Sequence, residues 1–146
     1  ADLVLVAPNG ARFLRTPRGI LPDLLDRLSL EREEARRAGQ STKANAIKIL
    51  MNSFYGVLGA PVSRLFAPEV ANAITGFGQR VLQWAAKEAQ KAGHAVIYGD
   101  TDSLFVHAPG VDADAALEVA GQLRRSIGAA VERRIRREYG RESFLE

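Results

Sequence analysis

The hydrophobic pattern opens with two short apolar runs. In LVLVAPNGARFLR (residues 3–15) they flank Pro8-Asn9-Gly10, a turn signal, and predict a β-hairpin. TPRG (16–19) breaks the chain. From ILPDLLDRLSLEREEARRA (20–38) the period becomes helical, with Pro22 in the first turn, where a missing N–H costs least. Leu21, Leu25, Leu28, Arg32 and Arg36 fall near one side of that helix, so its stripe begins apolar and ends basic. Gly39 stops it, and GQST (39–42) reads as a tight turn whose Ser41 or Thr42 caps the next helix.

The second helix is expected over about residues 43–58, KANAIKILMNSFYGVL. Ile47, Leu50, Met51, Phe54 and Leu58 gather in a broad apolar sector. Lys48, Asn52 and Tyr55 form a separate row that ends at Gly56, an unusual set for a solvent face. GVLGAPVSRLFAP (56–68) reads as loop or extended chain. A long helix is predicted from about Pro68 to Ala92, with Val70, Ile74, Phe77, Val81 and Trp84 or Ala85 inward and Gly93 closing it. A second hairpin, HAVIYGDTDSLFVHA (94–108), follows. Asp112 or Asp114 then starts a final amphipathic helix through Leu117, Ala120, Leu123, Ile127 and Val131. Sequential hairpins with segregated helices predict an α+β fold with antiparallel strands. RESFLE (141–146) resembles the start of another strand, so the chain reads as a fragment.

Composition narrows the function classes. The 146 residues are 47% apolar, enough for a folded core. The absence of cysteine excludes disulfides and thiolate metal sites. His94 and His107 lack zinc-ligand spacing. No apolar stretch approaches the ~18 residues of a membrane span, and ADLVLVAPNG has no signal-peptide layout, so a cytoplasmic protein is expected. A net charge of +3 and a pI near 9.6 lean only mildly towards polyanions. Arginines cluster in EREEARRAG (31–39) and VERRIRREYGR (131–141), where a solvated helix face is the ordinary explanation.

The sharpest chemical feature is a pair of acids inside an apolar run, VIYGDTDSLFV (96–106). Carboxylates about 5 Å apart repel by roughly 3 kcal/mol at an effective dielectric of about 20. In a strand, residues i and i+2 share a face, so Asp100 and Asp102 are expected to point the same way near the hairpin tip. Either water solvates them in an ordinary Gly-Asp-Thr-Asp turn, or a divalent cation offsets the repulsion. Hard oxygen ligands suit Mg²⁺ or Mn²⁺. Lys48, Arg32 and Arg36 lie on helices joined by a short turn, and such cations suit a triphosphate; ordinary surface charge is the alternative. Tyr55 followed by Gly56 offers an aromatic face for a base, or a core tyrosine.

YGDTDS (98–103) and KILMNSFYG (48–56) resemble two signature motifs of family B DNA polymerases. The stretches GILPDLLDRLSLEREEARR (19–37) and FAPEVANAITGFGQ (66–79) are also similar to that family, in its bacterial DNA polymerase II-like branch. Both motifs stand in the family's order, about 50 residues apart, which is far more specific than a lone DTD.

The resemblance implies a fingers helix pair over residues 19–60, a palm-side hairpin over 1–18, and a partial palm over 61–146. It implies that Asp102 is the direct metal-binding aspartate and Asp100 its companion. Lys48, Arg32 and Arg36 would contact the incoming nucleotide's phosphates, although the family commonly has lysine at the position of Arg36. Asn52 and Tyr55 would line the nascent base-pair pocket. Tyr98, Gly99, Thr101, Ser103, Ser53 and Gly56 complete the two motifs. The implied activity is DNA-directed DNA polymerisation, with two Mg²⁺ (or Mn²⁺) ions, dNTPs, primer–template DNA and the remainder of a polymerase as partners. The family's other catalytic aspartate belongs to a DxxSLYPS motif that this sequence lacks, and the lysine-rich palm motif, thumb and exonuclease segments are also missing. Gln79 replaces an arginine common in relatives. The chain is therefore expected to supply part of an active site and not to polymerise alone. A metal-dependent nuclease or a basic nucleic-acid-binding module are the rival readings; the latter leaves Asp100 and Asp102 unexplained, since both repel phosphate.

Overall fold

The computed structural model describes residues 3–142, and the expected strand in RESFLE falls mostly outside them, on 143–146. The chain divides into two compact units, Ala1–Ile74 and Thr75–Glu146. No helix among the described residues is long and apolar enough to cross a membrane.

In the first unit, β1 (Val4–Val6) pairs antiparallel with β2 (Arg12–Leu14), with Leu5 opposite Phe13. Gly10, at φ 85°, makes the left-handed step of the turn. Asn9 serves two bonds: its Oδ1 accepts from the Ala11 N–H at 3.2 Å, and its Nδ2 donates to the Glu69 carbonyl at 3.0 Å. The hairpin turn is thereby fastened to the start of a later helix.

Helix α1 (Ile20–Arg37) begins with Pro22 among the first-turn residues whose N–H groups have no intrahelical acceptor. Arg18 pairs with Asp23 at 2.7 Å and also with Asp26, tying the approach segment to the helix. The helix ends in a Schellman turn: the Gln40 N–H bonds the Ala35 carbonyl at 2.8 Å and the Gly39 N–H bonds that of Arg36 at 3.1 Å. Gly39 sits at φ 69°, as that turn requires.

Helix α2 (Ser41–Gly59) starts earlier than its apolar pattern suggests. Neither Ser41 nor Thr42 caps it. Both lie inside its first turn, and the N-cap is Gln40, which makes no side-chain capping bond. The Schellman turn already brings the chain round by Gln40, so no further residue is needed before α2. The two helices pack together, burying Ala35 on α1 and Ala44, Ile47 and Leu58 on α2. Leu50 is 48% exposed, so the apolar sector is narrower than expected. The connection after α2 is a loop, shorter than the expected 56–68 because α2 runs on to Gly59, and an ordered one. Ala67 N–H reaches back to the Leu58 carbonyl at 2.9 Å, and Ser63 Oγ accepts from the Leu65 N–H at 3.0 Å.

Helix α3 (Pro68–Lys91) begins in the first unit and runs into the second. It closes with another Schellman turn at Gly93, whose φ is 87°. Trp84 and Ala89 are buried, but Ile74, expected inward, is 46% exposed, while Ala71 and Ala73 take the buried positions. β3 (Ala95–Asp100) and β4 (Ser103–His107) then form an antiparallel hairpin. Helix α4 (Ala113–Tyr139) is capped by Asp112, which accepts from the Ala115 N–H at 2.9 Å. Leu123 and Val131 are buried, whereas Ala120 is exposed and Leu117 is 74% exposed. Periodicity selects a face, but a position becomes core only where another element covers it.

Candidate active site

The acidic hairpin is shaped by a register shift. Val96 faces Val106, but Tyr98 faces Phe105, leaving Ile97 as an extra residue on β3. Beyond this bulge, Tyr98 and Asp100 share one face with Phe105 and Ser103, and all four are exposed. The Tyr98 and Phe105 rings lie 5.8 Å apart on that face. Gly99 and Leu104 occupy the other face. A Cβ on Gly99 would stand 3.0 Å from Leu104 Cδ2, a tight contact, and at an ordinary 3.6 Å from Leu82 Cδ2 of α3, so it is the Leu104 side chain that crowds this position.

Asp100 is the last residue of β3 and pairs with Ser103. Asp102 is not on the strand; Thr101 and Asp102 are the two-residue loop, so strand alternation does not orient Asp102 as expected. The loop turns because Thr101 adopts φ 50°, alone among the described non-glycine residues in having a positive φ. Thr101 Oγ1 donates to Asp100 Oδ1 at 3.1 Å, and Ser103 Oγ donates to the Asp100 carbonyl at 3.2 Å. Asp102 has no side-chain hydrogen bond or ion pair among the described residues. Both acids are exposed, so water relieves their mutual repulsion. Among the described residues no group of three or more His, Asp or Glu side chains is arranged to hold a metal ion. The pair still fits part of a Mg²⁺ site: hard, accessible oxygens, with the remaining positions taken by water or phosphate.

The basic half of the predicted site lies in the first unit. Arg32 and Arg36 are one turn apart on α1; Lys48, Asn52 and Tyr55 follow one another along α2. Glu31 pairs with Lys43 at 2.9 Å and Glu33 with Arg36 at 2.9 Å. Those two acids are thus engaged elsewhere, and Arg32, half-buried, makes no ion pair among the described residues. Lys48 is exposed and likewise unpaired there. Tyr55 is 45% exposed, which removes the core-tyrosine alternative. Gly56 does not end the row, because α2 continues to Gly59; a Cβ at Gly56 would meet nothing within 4 Å. Ser53 turns its hydroxyl onto the Leu50 carbonyl at 2.7 Å.

The DNA polymerase family B model matches residues 2–139. This chain belongs to DNA polymerase family B. It is 37% identical over 107 residues to DNA polymerase II of Escherichia coli strain K12, covering 73% of this chain and 13% of that protein. It is 32% identical over 147 residues to a DNA polymerase of Thermococcus gorgonarius, covering 92% and 19%. Against DNA polymerase 2 of Aeropyrum pernix the identity is 34% over 116 residues, covering 70% and 14%. The chain therefore spans less than a fifth of the length of these family B relatives. Thr101 stood out in the sequence only as a member of the YGDTDS motif; its positive φ and its hydroxyl bond to Asp100 were not foreseen. The available signal was a two-residue hairpin loop, Thr-Asp, with no glycine or asparagine to supply the left-handed step.

Proposed function

We propose that this chain is the fingers and partial palm of a DNA-directed DNA polymerase that adds dNTPs to a primer 3′-hydroxyl on a DNA template. The observation that carries the reading is one family match over residues 2–139 containing both the lysine-bearing helix motif and the paired-acid hairpin. Residues 19–60 are the fingers helix pair, residues 1–18 a palm-side hairpin, and residues 61–146 the palm portion.

In the complete enzyme, Lys48, Arg32 and Arg36 bind the triphosphate, the lysine as a point charge and the arginines as planar forks. Arg36 must exchange its Glu33 partner to do so. Asn52 and Tyr55 orient the nascent base pair, Tyr55 through its exposed ring. Asp102, supported by Asp100, would hold the Mg²⁺. Metal ions bound there would supply activation of the attacking hydroxyl and charge stabilisation of the departing pyrophosphate. The chain's own contribution is positioning and charge complementarity, as in phosphoryl transfer generally. With one carboxylate motif of the family's active site absent from this sequence, the isolated chain has no polymerase activity.

The test is primer extension by the complete polymerase. Asp102→Asn should lower the rate beyond the about 10–100-fold typical of losing an outer-sphere partner of a metal. Extension at the wild-type rate would remove Asp102 from the mechanism. Template-dependent dNTP incorporation by the 146-residue chain alone would overturn the division of the active site.

A further inference from the structure

A two-residue hairpin loop matches the twist of its strands only if its backbone enters the left-handed region, and glycine or asparagine normally supplies that step. Here a β-branched residue does. Thr101 sits at φ 50°, whereas the other described residues at positive φ, Gly10, Gly39, Gly93, Gly110 and Gly140, are all glycines. Threonine in that region is strained, because its branched Cβ crowds the backbone. Glycine would make the same turn at lower cost. What glycine could not supply is the hydroxyl, and that hydroxyl donates to Asp100 Oδ1 at 3.1 Å.

We propose that Thr101 is the positioning residue of the acidic pair: its strained turn and its hydroxyl together fix the Asp100 carboxylate beside Asp102. The proposal rests on the metal-binding role given to those acids above. Asp100 is exposed and no other side chain among the described residues holds its carboxylate, so without Thr101 Oγ1 it samples several rotamers. Binding a cation would then have to order it first. The hydroxyl bond occupies Oδ1 and leaves Oδ2, and both oxygens of Asp102, without a side-chain partner among the described residues. Outer-sphere partners of metal-binding carboxylates act in this way. Strain at an active-site turn persists where the local conformation is part of the function.

The experiment measures Mn²⁺ binding to the complete polymerase, without DNA or nucleotide, by the loss of the free-ion electron paramagnetic resonance signal. Asp102→Asn defines the signal that does not belong to this site. Thr101→Ser keeps the hydroxyl and should bind within about twofold of wild type. Thr101→Val keeps the branched shape without the hydroxyl and should bind about tenfold more weakly. Thr101→Gly relieves the strain but also lacks the hydroxyl. It should raise the melting temperature relative to Thr101→Val while binding Mn²⁺ as weakly, a separation that a purely structural role cannot produce. Wild-type Mn²⁺ affinity in both Thr101→Val and Thr101→Gly overturns the proposal and leaves the role of Asp102 standing. Wild-type affinity in Asp102→Asn overturns the metal reading, and this proposal with it.

Discussion

Arg134 lies over the indole of Trp84, its guanidinium carbon 4.5 Å from the ring centroid. Arg134 Nε also donates to Glu138 Oε1 at 2.8 Å, which fixes the guanidinium in place. Tyr139 stacks on Trp84 at 6.4 Å, receives Phe77 edge-on at 5.2 Å, and accepts a 3.0 Å hydrogen bond from Arg80 Nη1. The arginine-rich end of α4 is therefore not simply a solvated face. One of its arginines closes an aromatic cluster between α3 and α4.

Trp84 is 6% exposed, so Trp84→Ala should destabilise the second unit by about 3–5 kcal/mol through the cavity it leaves. Arg134→Ala should cost less, about 1 kcal/mol for the cation–π contact. Amide hydrogen exchange across α3 and α4 measures both. Equal protection in the Trp84 variant and wild type would contradict the packing described.

Gly99 is fixed by crowding. Because its Cβ would meet Leu104 Cδ2 at 3.0 Å, with Leu82 Cδ2 close behind, Gly99→Val should destabilise the hairpin by about 1–3 kcal/mol. Gly99→Ala should lie at the lower end, since the flexible end of Leu104 can move. Faster exchange of the β3 and β4 amides is the expected reading.

Asp112 satisfies one of the free N–H groups at the start of α4. Asp112→Ala should cost about 1 kcal/mol, and Asp112→Asn or Asp112→Ser should restore most of it. The loss should appear first as exchange at the Ala115 amide, the group that Asp112 holds.

For the proposed nucleotide-binding row, Lys48→Ala in the complete polymerase should raise the KM for dNTP by about 10- to 150-fold, the equivalent of a charged hydrogen bond of about 1.5–3 kcal/mol. Arg32→Ala should act in the same direction. Steady-state extension over a dNTP titration measures this, and an unchanged KM in both variants would exclude the triphosphate contact.

The fold was largely legible in the chain because its signals are local. Pro8-Asn9-Gly10, Gly39, Gly93 and Asp112 each act through their own backbone or that of a few neighbours, so the two hairpins and four helices among the described residues are marked in the sequence. The candidate residues were also legible, as residue types in a familiar order. Their surroundings were less so. That Ile74 and Leu117 stay exposed, and that a bulge at Ile97 sets which residues share a face with Asp100, depend on what lies opposite each segment.

The sequence by itself determined where elements start and stop and which side chains carry charge, because propensity and capping are properties of short segments. Tertiary structure alone decided that Arg134 meets Trp84 and that Leu104 crowds the position of Gly99. Likewise, only the folded hairpin puts Thr101 in the left-handed region with its hydroxyl on Asp100. Burial, register and side-chain contact are set by what lies opposite in space, and no periodicity along one segment encodes its partner.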